Sequence, residues 1–389
     1  VWGRGAIDML NLTASMAVAV RHLARSGFRP RGTLVYFAVA DEEAGGHHGA
    51  EWVTRHHYDA VRSDYVLTES GGISLPGPGS PALPGRSGPG SPALPGRSGP
   101  GSPALAGRSG PGSPALAGRS GPGSPALAGP CVTVTTGEKG VAWRRLRVVG
   151  TPGHGSMPFG SDNAVVKAAE VVRRLVAYRP RAKVTDTWRA YVGALGLPEA
   201  TAAGLTDPDR AWDTCTSLPD PRFAGMAHAC THMTFSPNVM KGGVKTNVIP
   251  DTVDIDVDIR TLPGETADDI AANLEEALGD LTSSVTVTTL QQADASDSPK
   301  ASPLWESISR VVPAFLPTAG LVPRMSTGGT DARFFREKGA VAYGFGLFSS
   351  AVTYEEFASR FHGHDERVDV ESLRLSTEMW IALVRDLIG

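Results

Sequence analysis

The chain has 389 residues, which is enough for two or more domains with hydrophobic cores of their own. Its 37 basic and 40 acidic side chains give a net charge of −3, so it lacks the basic surplus typical of nucleic-acid-binding proteins. Its three cysteines do not have the spacing of a disulfide framework or a zinc ribbon, and no apolar run is long enough to predict a membrane-spanning helix.

The chain begins at Val1 rather than at a methionine, and its first residues do not have the pattern of a signal peptide. We therefore interpret the sequence as a fragment or a processed chain. We expect a cytoplasmic protein, and a signal peptide upstream of Val1 stays an open alternative.

The first part of the chain, residues 1–76, alternates predicted helices and strands. Apolar residues at helical spacing predict a helix that ends before Gly27, and an apolar run predicts a buried strand over 33–40. A second helix is predicted over 49–58 and a second strand over 64–68. This alternation predicts a parallel α/β sheet, which binds ligands at the carboxyl ends of its strands.

Acidic residues lie where these strands are predicted to end. Glu42 and Glu43 follow the first predicted strand, Glu69 follows the second, and Asp8 precedes the first helix. Two adjacent glutamates at the end of a buried strand repel each other and resist the loss of water. We therefore expect a positive partner there, such as a pair of metal ions.

Each of these residues also has an ordinary interpretation. By itself, Asp8 is better explained as the cap of the first helix, and Glu69 is explained about equally well as a loop acid. His362, in a loop near the C terminus, would by itself be a solvated histidine. Taken together at successive strand ends, they favour a metal site.

Residues 77–129 form an 11-residue repeat rich in glycine, proline and serine. The unit has one leucine and no apolar face, and it lacks the glycine at every third position that collagen requires. We predict a disordered surface loop that arose by tandem expansion. Such a loop is tolerated because the entropy cost of closing it grows only logarithmically with length.

Residues 138–295 have a different pattern, in the order strand, helix, strand, strand, helix, strand. These predicted elements span 143–149, 163–178, 231–235, 252–261, 266–281 and 284–290. The order is typical of a ferredoxin-like α+β fold.

The chain then returns to α/β, with a helix near 303–315, a strand over 341–345 and a helix over 371–387. We thus predict a split catalytic α/β domain with a mainly parallel sheet and an inserted ferredoxin-like lid. The catalytic parts would span 1–76, 130–137 and 296–389, and the lid 138–295.

Short motifs occur along nearly the whole chain outside the repeat. They are Gly3-Arg-Gly-Ala-Ile-Asp8-Met9, Ala40-Asp-Glu-Glu43, Thr68-Glu-Ser-Gly-Gly72, Glu138-Lys-Gly140, Gly150-Thr-Pro-Gly-His-Gly-Ser-Met-Pro158, Asn247-Val-Ile-Pro250, Asp258-Ile-Arg260, Gly328-Gly-Thr-Asp331 and Phe361-His-Gly-His-Asp-Glu-Arg-Val368. In content and order they resemble the family of co-catalytic zinc amidohydrolases. That family includes aminoacylase, acetylornithine deacetylase, succinyl-diaminopimelate desuccinylase and the glutamate carboxypeptidases.

The resemblance implies a metal site of two zinc ions. Asp8 would bridge them, Glu43 and His362 would bind one, and Glu69 would bind the other. Glu42 would act as the general base. Carboxylate and imidazole donors also suit Mn²⁺ or Co²⁺.

The resemblance also implies roles in the lid and in a later loop. His154 would reach the active site of the other subunit in a homodimer formed by the lid, and would polarise the scissile carbonyl there. Asn247 and Arg260 would hold the substrate, with Arg260 suited to a carboxylate. The remaining substrate-binding residues would present backbone amides, and they are Gly328, Gly329 and Thr330.

The expected activity is metal-dependent hydrolysis of an amide or peptide bond in an N-acyl amino acid or a short peptide with a free carboxylate. A water activated by the metal would attack, and Glu42 would take its proton. No nucleic-acid or membrane partner is expected.

Two features depart from the family pattern. The His-x-Asp motif that precedes the first glycine motif is absent, so the second zinc lacks its histidine, and Leu10 stands where the family commonly has lysine. The alternative hypothesis is therefore an impaired fragment that retains the dimerisation fold and at most part of the metal site.

Overall fold

The structure of the chain, a computed structural model, describes residues 1–75, 130–316 and 320–389. The predicted loop over 77–129 lies outside the described residues. Within them the helices are α1 (Leu10–Arg25), α2 (Ala50–His56), α3 (Tyr58–Val61), α4 (Ala164–Ala177), α5 (Asp186–Ala194), α6 (Glu199–Leu205), α7 (Ala211–Ser217), α8 (Pro221–Thr231), α9 (Ala267–Leu278), α10 (Pro303–Val311), α11 (Ala332–Arg336), α12 (Tyr354–Arg360) and α13 (Val370–Ile388).

The strands within the same ranges are β1 (Tyr65–Thr68), β2 (Ser74–Leu75), β3 (Cys131–Glu138), β4 (Gly140–Val149), β5 (Gly153–His154), β6 (Thr234–Gly242), β7 (Val248–Ile249), β8 (Thr252–Thr261), β9 (Val285–Ala293), β10 (Ser296–Asp297), β11 (Gly320–Ser326) and β12 (Val341–Gly344). None of the helices in these ranges combines the length and the hydropathy needed to cross a bilayer.

The larger sheet has the strand order β1-β12-β3-β10, and β2 and β11 also pair with β3. Its longest pairings, β3 with β11 and β1 with β12, are parallel, whereas the antiparallel pairings to β3 extend over only one or two residues. Helices α1, α10 and α13 bury Leu12, Ile308 and Met379 against Tyr343 and Phe345 of this sheet region. The predicted α/β class with a mainly parallel sheet is confirmed.

Residues 33–40 do not form the buried strand that their apolar run predicts. They have no regular secondary structure and make no backbone hydrogen bond to another described residue. Leu34, Val35 and Tyr36 are between 37% and 42% exposed. The strand prediction is therefore wrong here, because a strand needs a hydrogen-bonded neighbour, which an apolar pattern cannot supply by itself.

The smaller sheet has the order β6-β8-β4-β9, and all its neighbours are antiparallel. Helices α4 and α9 bury Val171 and Leu274 against Leu146 and Ile255 of this sheet. The connections β4-α4-β6 and β8-α9-β9 give this sheet the order of a ferredoxin-like fold. The predicted ferredoxin-like α+β part is confirmed, whereas the division into domains at 76, 129, 137 and 295 stays a prediction.

The stretch between α4 and β6 differs from the sequence prediction. Helices α5 to α8 were not predicted, and the strand predicted over 231–235 begins only at Thr234, because α8 continues to Thr231. Asp220 caps the start of α8 by accepting the backbone N–H of Arg222 at 2.9 Å. These short helices are stabilised by a separate core that includes Trp188; tertiary packing rather than a long amphipathic pattern stabilises them.

Candidate metal centre

Three of the predicted ligands meet at one point. The Nε2 atom of His362 lies 2.9 Å from Oδ2 of Asp8 and 3.4 Å from Oε2 of Glu43. One ligand atom from each of the three residues lies within 4.8 Å of the other two. The loop before α1, the 3₁₀ turn Glu42–Ala44 and the loop after α12 therefore converge on one site.

Two further predicted carboxylates extend this site. The Glu69 carboxyl group, directly after β1, interacts electrostatically with the carboxyl groups of both Asp8 and Glu42. Burial raises the pKa of Glu69, and the charges of Glu42 and Asp8 raise it further. Burial also raises the pKa of Glu42, with additional contributions from Asp331 and Glu43. Crowded carboxylates of this kind favour a bound cation, because it removes the repulsion between their charges.

The donor chemistry of Asp8, Glu43 and His362 fits a divalent metal ion. Two carboxylate oxygens and one imidazole nitrogen are ligands that Zn²⁺, Mn²⁺ and Co²⁺ accept. His362 and Glu43 have side chains that are 69% and 64% exposed, so a cation could reach them from solvent. Glu69 is not one of these three residues, but its carboxyl group interacts electrostatically with that of Asp8.

Asp41 holds the turn that carries Glu42 and Glu43. Its backbone is left-handed, with φ of +77°, and its Oδ2 atom accepts the backbone N–H of His48 at 2.8 Å. Its carbonyl accepts the N–H groups of Ala44 and Gly46 at 3.1 and 2.7 Å. Asp41 thus closes this turn with both its side chain and its backbone carbonyl.

Asp331 is a neighbour of the site that the sequence did not single out. Burial raises its pKa to about 6, although Arg333 opposes the shift. A Cβ on Gly46 would stand 2.5 Å from Oδ1 of Asp331, and Gly46 has φ of +71°. Position 46 therefore requires glycine. The signal in the sequence that could have identified Asp331 was its place as the last residue of the Gly328–Asp331 motif.

Glu366 is a second residue that the sequence analysis missed. It lies in the Phe361–Val368 motif but is 4% exposed, and its carboxylate accepts the backbone N–H groups of Ile7 and Asp8 at 3.0 and 3.3 Å. Burial alone would raise its pKa, but these donors outweigh burial, so the pKa lies below the usual range. Its position in a motif was the only signal in the sequence.

His154 and Asn247 lie side by side in the lid. The short strands β5 and β7 pair His154 with Val248, and the Asn247 carbonyl accepts the N–H of Gly155 at 2.8 Å. His154 is exposed, and its Nδ1 atom accepts the backbone N–H of Ser156 at 3.2 Å. The other ring nitrogen, Nε2, then carries the hydrogen in the neutral form.

Arg260 forms a bidentate ion pair with Asp258 of the same strand, with N–O distances of 2.7 and 3.1 Å. No hydrogen bond or ion pair within the described ranges joins Arg260, His154 or Asn247 to the acidic cluster. Among the described residues, the predicted lid residues and the predicted metal ligands are therefore not joined by a polar contact.

In the loop Gly328–Thr330, whose backbone amides are predicted to bind substrate, two of the N–H groups already donate hydrogen bonds within the chain. The N–H of Thr330 donates to the Glu138 carboxylate, which also pairs with Arg336 at 2.8 Å. The N–H of Gly328 donates to the Ser326 hydroxyl at 3.3 Å. Substrate binding by these two amides would require the loop to exchange its present partners, and Gly329 is the remaining predicted donor.

Comparison with known proteins gives one family. The family model described as Peptidase family M20/M25/M40 matches residues 1–386. Aminoacylase-1 of Sus scrofa is 24% identical over 372 residues, which are 95% of this chain and 67% of that protein. Probable carboxypeptidase S-like 2 of Dictyostelium discoideum is 22% identical over 397 residues, covering 99% of this chain and 65% of that protein. The chain spans about two thirds of the length of these relatives.

Solved structures show the same fold. An M20 family metallo-carboxypeptidase from Sulfolobus solfataricus superposes with a TM-score of 0.62 at 13% identity, covering 99% of this chain and 77% of that chain. Human carnosine dipeptidase 1 gives a TM-score of 0.55 at 13% identity, covering 99% of this chain and 73% of that chain.

Proposed function

Since the chain belongs to peptidase family M20/M25/M40 and is a hydrolase of that family, we propose that it is a metal-dependent amidohydrolase or exopeptidase. Its substrate would be an N-acyl amino acid or a short peptide with a free carboxylate. The observation that carries this proposal is the convergence of Asp8, Glu43 and His362, with Glu42 and Glu69 directly beside them.

Asp8, Glu43 and His362 would hold one divalent cation, and Glu69 together with Asp8 would contribute to a second. We expect zinc, with manganese or cobalt as alternatives. A cation bound there would act as a Lewis acid that polarises the scissile carbonyl and makes water more acidic.

Glu42 would act as the proton carrier. It is not one of the three converging ligands, and its raised pKa suits a carboxyl group that accepts a proton near neutral pH. It would take a proton from the attacking water and deliver it to the leaving amine. Asp331 supports this role, because its negative charge favours the protonated form of Glu42.

The lid would hold the substrate. The Arg260 guanidinium would bind the free carboxylate, with Asp258 fixing its orientation, and Asn247 and the amide of Gly329 would contact the substrate near the reacting bond. Because His154 is exposed and has no polar contact with the acidic cluster of its own chain, we propose that it acts in the active site of the other subunit of a homodimer.

We further propose a cytoplasmic location.

The test is Glu42→Gln. The variant should retain the metal content of the wild type and lose about 10²–10⁴-fold in turnover, because the proton carrier is removed while the ligands stay. Metal content by atomic spectroscopy and hydrolysis of a panel of N-acyl amino acids and dipeptides measure both. Loss of metal from Glu42→Gln would show that Glu42 is a ligand instead.

The matched control is Glu51→Gln. Glu51 is a partly buried glutamate that pairs with Arg55 at 2.6 Å and lies outside the acidic cluster. Its variant should retain both metal and turnover.

A second candidate is the impaired fragment with part of the metal site. The observation in its favour is that, among the described residues, one set of three ligands converges, and that set accounts for one cation. It predicts one metal per chain and weak turnover. Two metals per chain with robust turnover would exclude it.

A further inference from the structure

The segment before α1 is attached to the loop that carries His362. Val1 and Val368 exchange backbone hydrogen bonds of 2.8 and 2.9 Å, and Trp2 and Arg367 form an antiparallel bridge. The guanidinium of Arg367 also lies over the Trp2 ring at 4.8 Å from its centroid. The two ligand-bearing loops are thus one local unit.

The carboxylate of Glu366 is the centre of this unit. One of its oxygens, Oε1, accepts the backbone N–H groups of Ile7 and Asp8, and the other, Oε2, accepts the Arg4 guanidinium at 3.0 Å. The backbone carbonyl of Glu366 accepts the N–H of Gly3 at 3.0 Å. Arg4 also donates to the carbonyl of Gly363 at 3.2 Å.

These contacts determine the position of Asp8. Its own N–H is bonded to Glu366, four residues from His362, and the Asp8 carboxylate lies 2.9 Å from the His362 ring. The side chain of Glu366 is 2% exposed, so its hydrogen bonds are shielded from water. Removing a buried acceptor leaves these N–H groups without a partner, which favours a different course of the loop.

We propose that Glu366 is a positioning residue, which holds Asp8 against His362 so that the two loops form one metal site. The proposal rests on the proposed function, since it assigns this role toward the metal. Glu366 does not itself reach the reacting atoms. It belongs to the supporting contacts that orient metal ligands, and the loss of such contacts typically weakens metal binding by about 10–100-fold.

The experiment compares Glu366→Ala and Glu366→Gln with the wild-type chain, using Zn²⁺ as the probe. Zinc affinity is measured by competition with a chromophoric chelator, and the absorption spectrum of the Co²⁺-loaded chain reports ligand geometry. Glu366→Ala should bind zinc about 10–100-fold more weakly and change the Co²⁺ spectrum. Glu366→Gln keeps one oxygen acceptor, so its effect should be smaller.

A second measurement does not depend on metal. Hydrogen exchange resolved by peptide should become faster over 1–9 and 361–368 in Glu366→Ala, whereas α13 should stay protected. If Glu366→Ala does not fold, Glu366→Gln is judged by the same two measurements.

The control is Asp369→Ala. Asp369 caps α13 by accepting the N–H of Ser372 at 2.7 Å, and it makes no contact with Asp8 or His362 among the described hydrogen bonds. This variant should lower the melting temperature but leave the zinc affinity and exchange over 1–9 unchanged.

Wild-type zinc affinity and wild-type exchange in folded Glu366 variants would overturn the positioning role, as would equal losses of zinc affinity in Asp369→Ala. A wild-type chain that binds no zinc would instead refute the proposed function. In that case, the exchange measurement still decides whether Glu366 joins the two loops.

Discussion

At the scale of single residues, surroundings rather than residue type decide what each ionisable group does. Glu69 and Glu366 are both glutamates near Asp8, yet burial among carboxylates raises the pKa of Glu69, whereas backbone N–H donors lower that of Glu366. Glu69 is thus suited to bind a cation, and Glu366 is suited to fix the loop that carries Asp8.

His232 shows the same principle away from the site. It is 1% exposed and its ring stacks on that of His228, with 4.6 Å between centroids. Burial, followed by the charges of His228 and Lys139, lowers the pKa of His232 to about 4, although its hydrogen bond to the carbonyl of His228 opposes the shift. The folded chain therefore keeps this ring neutral at a pH where the unfolded chain would protonate it.

This difference predicts a pH dependence of stability. Between pH 4 and 6.5, the unfolded chain binds a proton at His232 that the folded chain does not, so stability falls as pH falls. His232 should contribute a slope of about 1.4 kcal/mol per pH unit there, fully expressed in the middle of that range. His232→Phe should remove this contribution, as measured by urea unfolding at several pH values.

Trp212→Phe is the control for this prediction. Trp212 packs edge-on against both histidine rings but does not ionise in this range. Its variant should lower stability at every pH and keep the wild-type slope. An unchanged slope in His232→Phe would contradict the prediction.

At the scale of elements, the sequence pattern predicts a helix or strand well when residues within that element stabilise it. Strand β8 has the predicted bounds, Thr252–Thr261, because strict alternation places one set of side chains in the core. Helix α9 begins where a capping box joins Thr266 to Asp269. Residues 33–40 are apolar as well, but they find no partner strand among the described residues.

The exposed segment 33–40 predicts self-association of this chain. Unpaired backbone groups next to exposed apolar side chains form a template for pairing with another chain. Val35→Lys should reduce concentration-dependent association, measured by sedimentation velocity, while changing stability by no more than about 0.5 kcal/mol.

Val18→Lys is the matched control. Val18 is 43% exposed, similar to the 42% of Val35, but it lies in α1, where the backbone is paired within the helix. Association that falls equally in both variants would show that charge alone, and not the segment, is responsible.

At the scale of the whole molecule, no hydrogen bond or ion pair of the described residues joins the predicted metal ligands to the predicted lid residues. The acidic cluster is assembled from both ends of the chain, whereas His154 lies exposed in the lid. This separation supports the proposed homodimer, in which each active site takes His154 from the other subunit.

Mixing of inactive chains tests this arrangement. In a heterodimer of His154→Ala and Glu42→Gln chains, one of the two sites would have both residues intact. With random pairing, the mixture should regain roughly a quarter of wild-type activity per chain, measured on the substrate that the wild type cleaves best. Proven heterodimers without activity would count against a histidine supplied by the other subunit. A mixture in which every chain carries Glu42→Gln should regain none.

The sequence by itself identified candidate residues for the metal centre, and it predicted the α/β class and the ferredoxin-like order of the lid. These follow from motifs, from periodicity and from caps, which are properties of neighbouring residues. The tertiary structure decided which residues come together over long distances. It showed that 33–40 has no partner strand among the described residues, and that Trp188 and its neighbours form a separate core. It also showed that the Glu366 carboxylate accepts the N–H of Asp8 across 358 positions of sequence. Contacts of this kind depend on how the chain closes on itself, and no local pattern encodes that closure.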